Sequence, residues 1–121
     1  MDIVISDTSG KPIYRQIFEQ VSAQIIKGEL ARDFCLPPIR TVARDLRISV
    51  ITVKKAWEEL ERAGFIRTMV GKGCFVAPLM PADRDVKRDA LAIEKLEKDI
   101  EYYKGLGLSL EELTELIRRH Y

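Results

Sequence analysis

Apolar residues recur along the chain with helical spacing in some stretches and strand-like spacing in others, and these changes divide it into elements. From Ile13 the residues Ile17, Val21 and Ile25 follow at four-residue steps with Phe18 beside them, the stripe of an amphipathic helix. Pro12 suits its first position, where a missing N–H is no loss, and Gly28 offers the left-handed conformation that commonly ends a helix. A second helix is predicted from near Pro38, burying Ile39, Val42, Ala43 and Leu46, with the small Ala43 allowing close approach of the next helix and Ile48 filling the gap. That third helix opens at Ser49, whose hydroxyl is placed to accept an orphan backbone N–H. Its apolar residues Val53, Ala56, Trp57 and Leu60 share one face, and Gly64 closes it.

The pattern then shortens. Phe65, Ile66, Met69 and Val70 lead into Gly71-Lys72-Gly73, followed by Cys74-Phe75-Val76, which reads as a β-hairpin because glycines adopt positive φ without strain. Residues 1–10 read as an extended edge strand through the alternation of Ile3 and Ile5, and residues 29–36 as a loop with a brief strand at Phe34–Leu36. Beyond Pro78 and Pro81, a fourth helix carries Val86, Ala90, Ile93, Leu96, Ile100 and Tyr103 at steps of four and three, a narrow coiled-coil-like seam. Gly105 and Gly107 break it. Ser109 to Glu112 then forms a capping box, with Leu108 and Leu113 as its staple, and a last helix bears Leu110, Leu113, Leu116 and Ile117. Arg118 and Arg119 sit at its C-terminus, where the helix dipole favours positive charge.

The predicted fold is therefore mainly α with a small β-hairpin. A winged helix-turn-helix domain over residues 1–78 is followed by a C-terminal helical hairpin over 79–121. That hairpin has too few residues to bury both faces alone, so it must pack on the winged domain, on another copy, or on both. The length of 121 residues suits one compact domain with such an appendage.

Charge changes the picture more than composition does. The net charge of +1 would argue against a nucleic-acid partner if it were evenly spread. Residues 1–79 instead hold 12 Lys/Arg against 9 Asp/Glu, and residues 80–121 hold 8 against 10. Between Arg40 and Lys55, the cations Arg40, Arg44, Arg47, Lys54 and Lys55 face only Asp45. Such local basicity at the leading end of a helix buried on its other side is what major-groove docking needs.

Other chemistry is sparse. Cys35 and Cys74 form no metal-ligand or redox pair spacing, so two free thiols in a reduced, cytoplasmic protein are expected, with no cofactor and no metal. The opening MDIVIS lacks the basic leader and apolar run of a signal peptide, and no stretch approaches a membrane span, so no membrane partner is expected. Gly71-Lys72-Gly73 is not a phosphate-binding P-loop, because the earlier glycine and the Lys-Ser/Thr pair are missing. Trp57 belongs to the core stripe, the lone His120 lies next to the terminus, and Cys74 reads as a small strand residue. Tyr14 and Arg15 are placed either to touch a DNA backbone or, for Tyr14, to cap the core. No nucleophile–base pair, paired acids or cofactor loop is present, so an enzyme is not expected. The competing class is a winged-helix protein-interaction module, against which the basic Arg40–Lys55 stretch speaks.

Four motifs in order, PIYRQI at 12–17, LPPIRTVARDL at 36–46, SVITVKKAWEELERAGFI at 49–66 and GKGCFV at 71–76, resemble the N-terminal DNA-binding domain of the GntR family of bacterial transcription regulators. The 43 residues after Pro78 are too short for that family's large effector domains and look like the two-helix dimerisation segment of its YtrA subfamily. The resemblance implies a homodimeric repressor on an inverted-repeat operator, controlling its own operon and often an ABC transporter, with any small-molecule effector unknown. It carries DNA contacts onto Arg40 in the second helix, onto Ser49, Ile51, Thr52, Lys54 and Lys55 in recognition helix 49–63, and onto Lys72 and Gly73 in wing 65–77. Val50 and Ile51 depart from the family, standing where arginine, asparagine or threonine often reads bases. Apolar side chains there can meet thymine methyls but cannot pair with guanine.

Overall fold

The computed structural model describes all of residues 1–121. The element order is α1 (Ile13–Ile26), α2 (Ile39–Leu46), α3 (Val50–Arg62), β1 (Ile66–Met69), β2 (Gly73–Val76), α4 (Pro81–Gly105) and α5 (Leu110–His120). The chain divides into two compact units, Met1–Arg84 and Asp85–Tyr121.

In the first unit the predicted stripes form one core. Ile17, Phe18, Val21 and Ile25 of α1 are buried, as are Val42 and Ala43 of α2 and Val53, Ala56, Trp57 and Leu60 of α3. Ile39 and Leu46 are only half-buried. Phe65 and Ile66 close the core from the hairpin side, and the Phe65 ring meets Phe18 edge-on at 6.1 Å between centroids. Gly28 and Gly64 take φ of 80°, which stops α1 and α3 where their patterns end.

β1 and β2 pair antiparallel from Ile66↔Val76 to Met69↔Gly73, and Lys72 N–H donates to Met69 O (2.9 Å) to close the turn. The brief strand expected at Phe34–Leu36 exists as a bridge of Cys35 to Phe75, with Leu36 N–H to Cys74 O at 2.8 Å and Val76 N–H to Phe34 O at 2.9 Å. β2 is thus flanked on both sides. Thr68 N–H also donates to the Glu61 carboxylate (2.8 Å), tying the wing to the end of α3.

The N-terminal segment is extended but is not the edge strand that its alternation predicts. Its backbone is satisfied by glutamine amides of α1 spaced one turn apart. Gln20 accepts from Val4 N–H (2.8 Å) and donates to Val4 O (2.7 Å); Gln16 does the same with Ser6 (2.8 and 2.9 Å), and Gln24 donates to Asp2 O (2.6 Å). A primary amide offers the same donor and acceptor as a peptide, so a helix face substitutes for a neighbouring strand. The amide of Gln16, itself buried, also donates to Lys11 O (3.0 Å).

In the second unit, α5 opens with the complete capping box, Ser109 Oγ accepting from Glu112 N–H (3.1 Å) and Glu112 accepting from Ser109 N–H (3.0 Å). Neither α4 nor α5 buries a residue in the single chain. Val86, Ile93, Leu96, Leu106, Leu110 and Ile117 are all at least half exposed. No helix is long and apolar enough to cross a membrane.

Candidate nucleic-acid interface

The short connection between α2 and α3 fixes the presentation of the cations. Arg47 follows α2 in the left-handed conformation (φ 57°), unusual for a residue with a Cβ, and turns the chain within three residues. Ser49 then starts α3, its Oγ accepting from Thr52 N–H (3.1 Å) and lying 2.7 Å from Thr52 Oγ1. With Ser49 as the donor of that second bond, the Thr52 hydroxyl proton is free for an external acceptor at the positive end of the helix.

Helical geometry sets Ile51, Lys54 and Lys55 opposite the buried face of Val53, Ala56, Trp57 and Leu60. Ile51 is 79% exposed, an unusual position for a branched apolar side chain with nothing packed on it. Arg40, on the first turn of α2, is also exposed.

Ion pairing separates these cations from several of their neighbours in the same unit. Arg44 lies 3.4 Å from Asp45, Arg67 3.1 Å from Asp33, and Arg15 3.7 Å from Glu19. Arg40, Arg47, Lys54 and Lys72 have no carboxylate within pairing distance. An unpaired cation in water attracts a phosphate without first giving up a protein partner.

Lys55 is placed differently. Its Nζ stands 4.0 Å above the centroid of the Tyr14 ring, a cation–π contact linking α3 to the first turn of α1. Tyr14 and Lys55 stand far apart in the sequence, and their meeting is a tertiary event with no local signal. Arg47 is not among the contacts that the family resemblance implies. The residue counts toward the basic excess, but its turn conformation is not legible in the residues around it.

At the wing, Gly71 and Gly73 have φ of 77° and 118°. A Cβ on Gly71 would meet nothing, so conformation and not space requires glycine there. Val70 is 98% exposed at the tip beside exposed Lys72. Both cysteines are free. Cys35 pairs with Phe75, so it lies on the opposite face of the sheet from Cys74, whose sulfur is 3.5 Å from Thr68 Oγ1.

A helix-turn-helix with a hairpin wing and an unpaired basic leading edge defines a winged-helix DNA-binding protein. The family profile described as "Bacterial regulatory proteins, gntR family" matches residues 13–76, and the chain belongs to the GntR family. It is 34% identical to the uncharacterized HTH-type transcriptional regulator YhcF of Bacillus subtilis, covering 91% of this chain and 90% of the relative. It is 32% identical to the HTH-type transcriptional repressor YtrA of the same organism, covering 96% and 89%.

Among solved structures, the fold matches a transcriptional antiterminator from Listeria monocytogenes with TM-score 0.78 at 32% identity, over 99% of this chain and 90% of that one. It matches YtrA from Sulfolobus acidocaldarius with TM-score 0.58 at 33% identity, over 97% and 94%. The AraR DNA-binding domain in complex with operator ORX1 matches with TM-score 0.55 at 25% identity, over 64% of this chain and 96% of that one. The chain is thus a non-enzymatic DNA-binding transcription regulator of the GntR type, YtrA-like in its short second part.

Proposed function

We propose that the protein is a dimeric repressor acting in the cytoplasm, with residues 1–78 docking on DNA and residues 79–121 joining two copies. The observation that carries the DNA half is the set of exposed, unpaired cations: Arg40, Arg47 and Lys54 around the leading end of α3, and Lys72 at the tip of the wing. In this reading α3 enters the major groove with Ile51 and Lys54 toward base edges. Arg40, Thr52 and the α3 N-terminus hold phosphates, and Lys72 with Gly73 reaches the minor groove. Lys55 on Tyr14 neutralises the backbone beside α1. The uncovered apolar seam of α4 and α5 supports the dimer, since no monomer gains from leaving it in water.

Two copies related by a two-fold axis read an inverted repeat with half-sites about one helical turn apart, roughly 34–36 Å. The kinship to a repressor supports repression, and control of its own operon and an associated ABC transporter completes the reading. Nuclease footprinting on the DNA upstream of its own gene tests this. Two protected half-sites related by a dyad are expected; a single unpaired patch, or no protection, contradicts it.

A further inference from the structure

A cleft of about 250 Å³ lies within the first unit, beneath the end of β2 and beside the loop that follows α1. Its walls are largely apolar, from Ile25, Leu30, Val76 and Leu79, and two guanidinium groups, Arg32 and Arg84, border it. Arg32 is exposed and lies 3.8 Å from Asp33. Arg84 differs. Its Nε is buried and is the one buried side-chain N or O atom in the molecule without a hydrogen-bond partner. No carboxylate pairs with it. Its Nη1 lies 3.3 Å from where a Cβ on Gly28 would stand, so any side chain at position 28 would press on the guanidinium.

Burying a donor of a charged group without an acceptor costs free energy that folding must supply from elsewhere. Nothing in the wing or in α3 calls for a cation at this place. Nε itself is closed to the cleft, so an acceptor arriving there would take the outer Nη groups, which no protein carboxylate holds, in the end-on geometry a guanidinium offers a carboxylate. The volume falls just below the roughly 300–1,000 Å³ of pockets for drug-sized ligands, which restricts the occupant to a small molecule.

We propose that this cleft binds a small organic carboxylate, its oxygens accepting from Arg84 and its apolar body resting on Ile25, Leu30, Val76 and Leu79. Val76 is the last residue of β2 and pairs with Ile66 at the base of the wing. An occupant therefore bears on the element assigned to the minor groove. This second consequence rests on the operator reading; the binding itself does not.

Isothermal titration of the full-length protein with acetate, hexanoate and benzoate tests the site, with hexan-1-ol and sulfate as apolar-only and charge-only controls. One-to-one binding of hexanoate or benzoate is expected, with both controls weaker by at least roughly tenfold, the least that a charge-assisted hydrogen bond contributes. Arg84→Gln should lose the same factor, Arg84→Lys should recover part of it, and Ala31→Leu, which fills the cleft from its exposed rim, should block binding. No heat of binding with any carboxylate, or equal binding by Arg84→Gln, or hexan-1-ol matching hexanoate, would overturn the proposal and leave a water-filled cleft. Operator affinity with and without the bound acid then tests the regulatory half. A shift in wild type that Arg84→Gln abolishes supports it, and an unchanged affinity in wild type refutes it.

Discussion

At the scale of single residues, the cations proposed to meet DNA stand without an acid partner, whereas Arg62, Arg67 and Arg88 are paired. Arg40→Ala is expected to weaken operator binding evenly across sequences and to reduce the slope of log affinity against log salt by about one, as loss of one phosphate contact does. Anisotropy titrations at several salt concentrations measure it. Ser49→Ala should cost about 1 kcal/mol of stability through the lost cap, read by denaturant unfolding, and should weaken DNA binding as well because Thr52 loses its positioning partner. Trp57→Ala, at a site 4% exposed, is expected to cost about 3–5 kcal/mol, so its effect on DNA is that of a partly unfolded protein.

At the scale of elements, legibility follows the range of the interaction. α1 and α3 are readable because a stripe, a starting residue (Pro12 for α1, the Ser49 cap for α3) and a terminal glycine all lie on one local stretch of chain. The capping box of α5 is readable for the same reason. The glutamine ladder is not, since Gln16, Gln20 and Gln24 look like solvated helix positions until residues 2–6 run antiparallel beside them. The candidate contact set lies on local elements, so most of it can be placed; the Lys55–Tyr14 stack needs α1 and α3 to meet.

The capping box also gives α5 a pH dependence. The hydrogen bond from Ser109 N–H, followed by the Ser109 side chain, holds the Glu112 carboxyl below the ordinary carboxylate range. Its contribution is therefore complete above the unfolded carboxylate pKa and is lost as pH falls through the lower folded value. Amide-exchange protection at the start of α5 should fall over that acidic window. In Glu112→Gln, which keeps the acceptor without the titration, it should stay flat.

At the scale of the whole molecule, the proposed operator reading takes two copies. One module reading a half-site with a few cations binds weakly, and joining two modules multiplies their affinities through a high effective concentration. The seam of α4 and α5 leaves Ile93 53% and Leu96 50% exposed, surfaces that a second copy would cover. Leu96→Asp is expected to give a monomer by light scattering, with its helices retained by circular dichroism and operator affinity reduced by at least roughly a hundredfold. A Leu96→Asp variant that stays dimeric would move the interface elsewhere.

The most direct test of the central claim, that the unpaired basic face and two-fold assembly make an operator-binding protein, is one titration. Fluorescence anisotropy of DNA from upstream of its own gene, against a scrambled duplex, would be followed from about 50 to 200 mM salt with the stoichiometry read at saturation. Two protomers per site, preference for the native sequence, and an affinity that falls steeply with salt are expected. Binding indifferent to salt, or absent at the lowest salt, would contradict it.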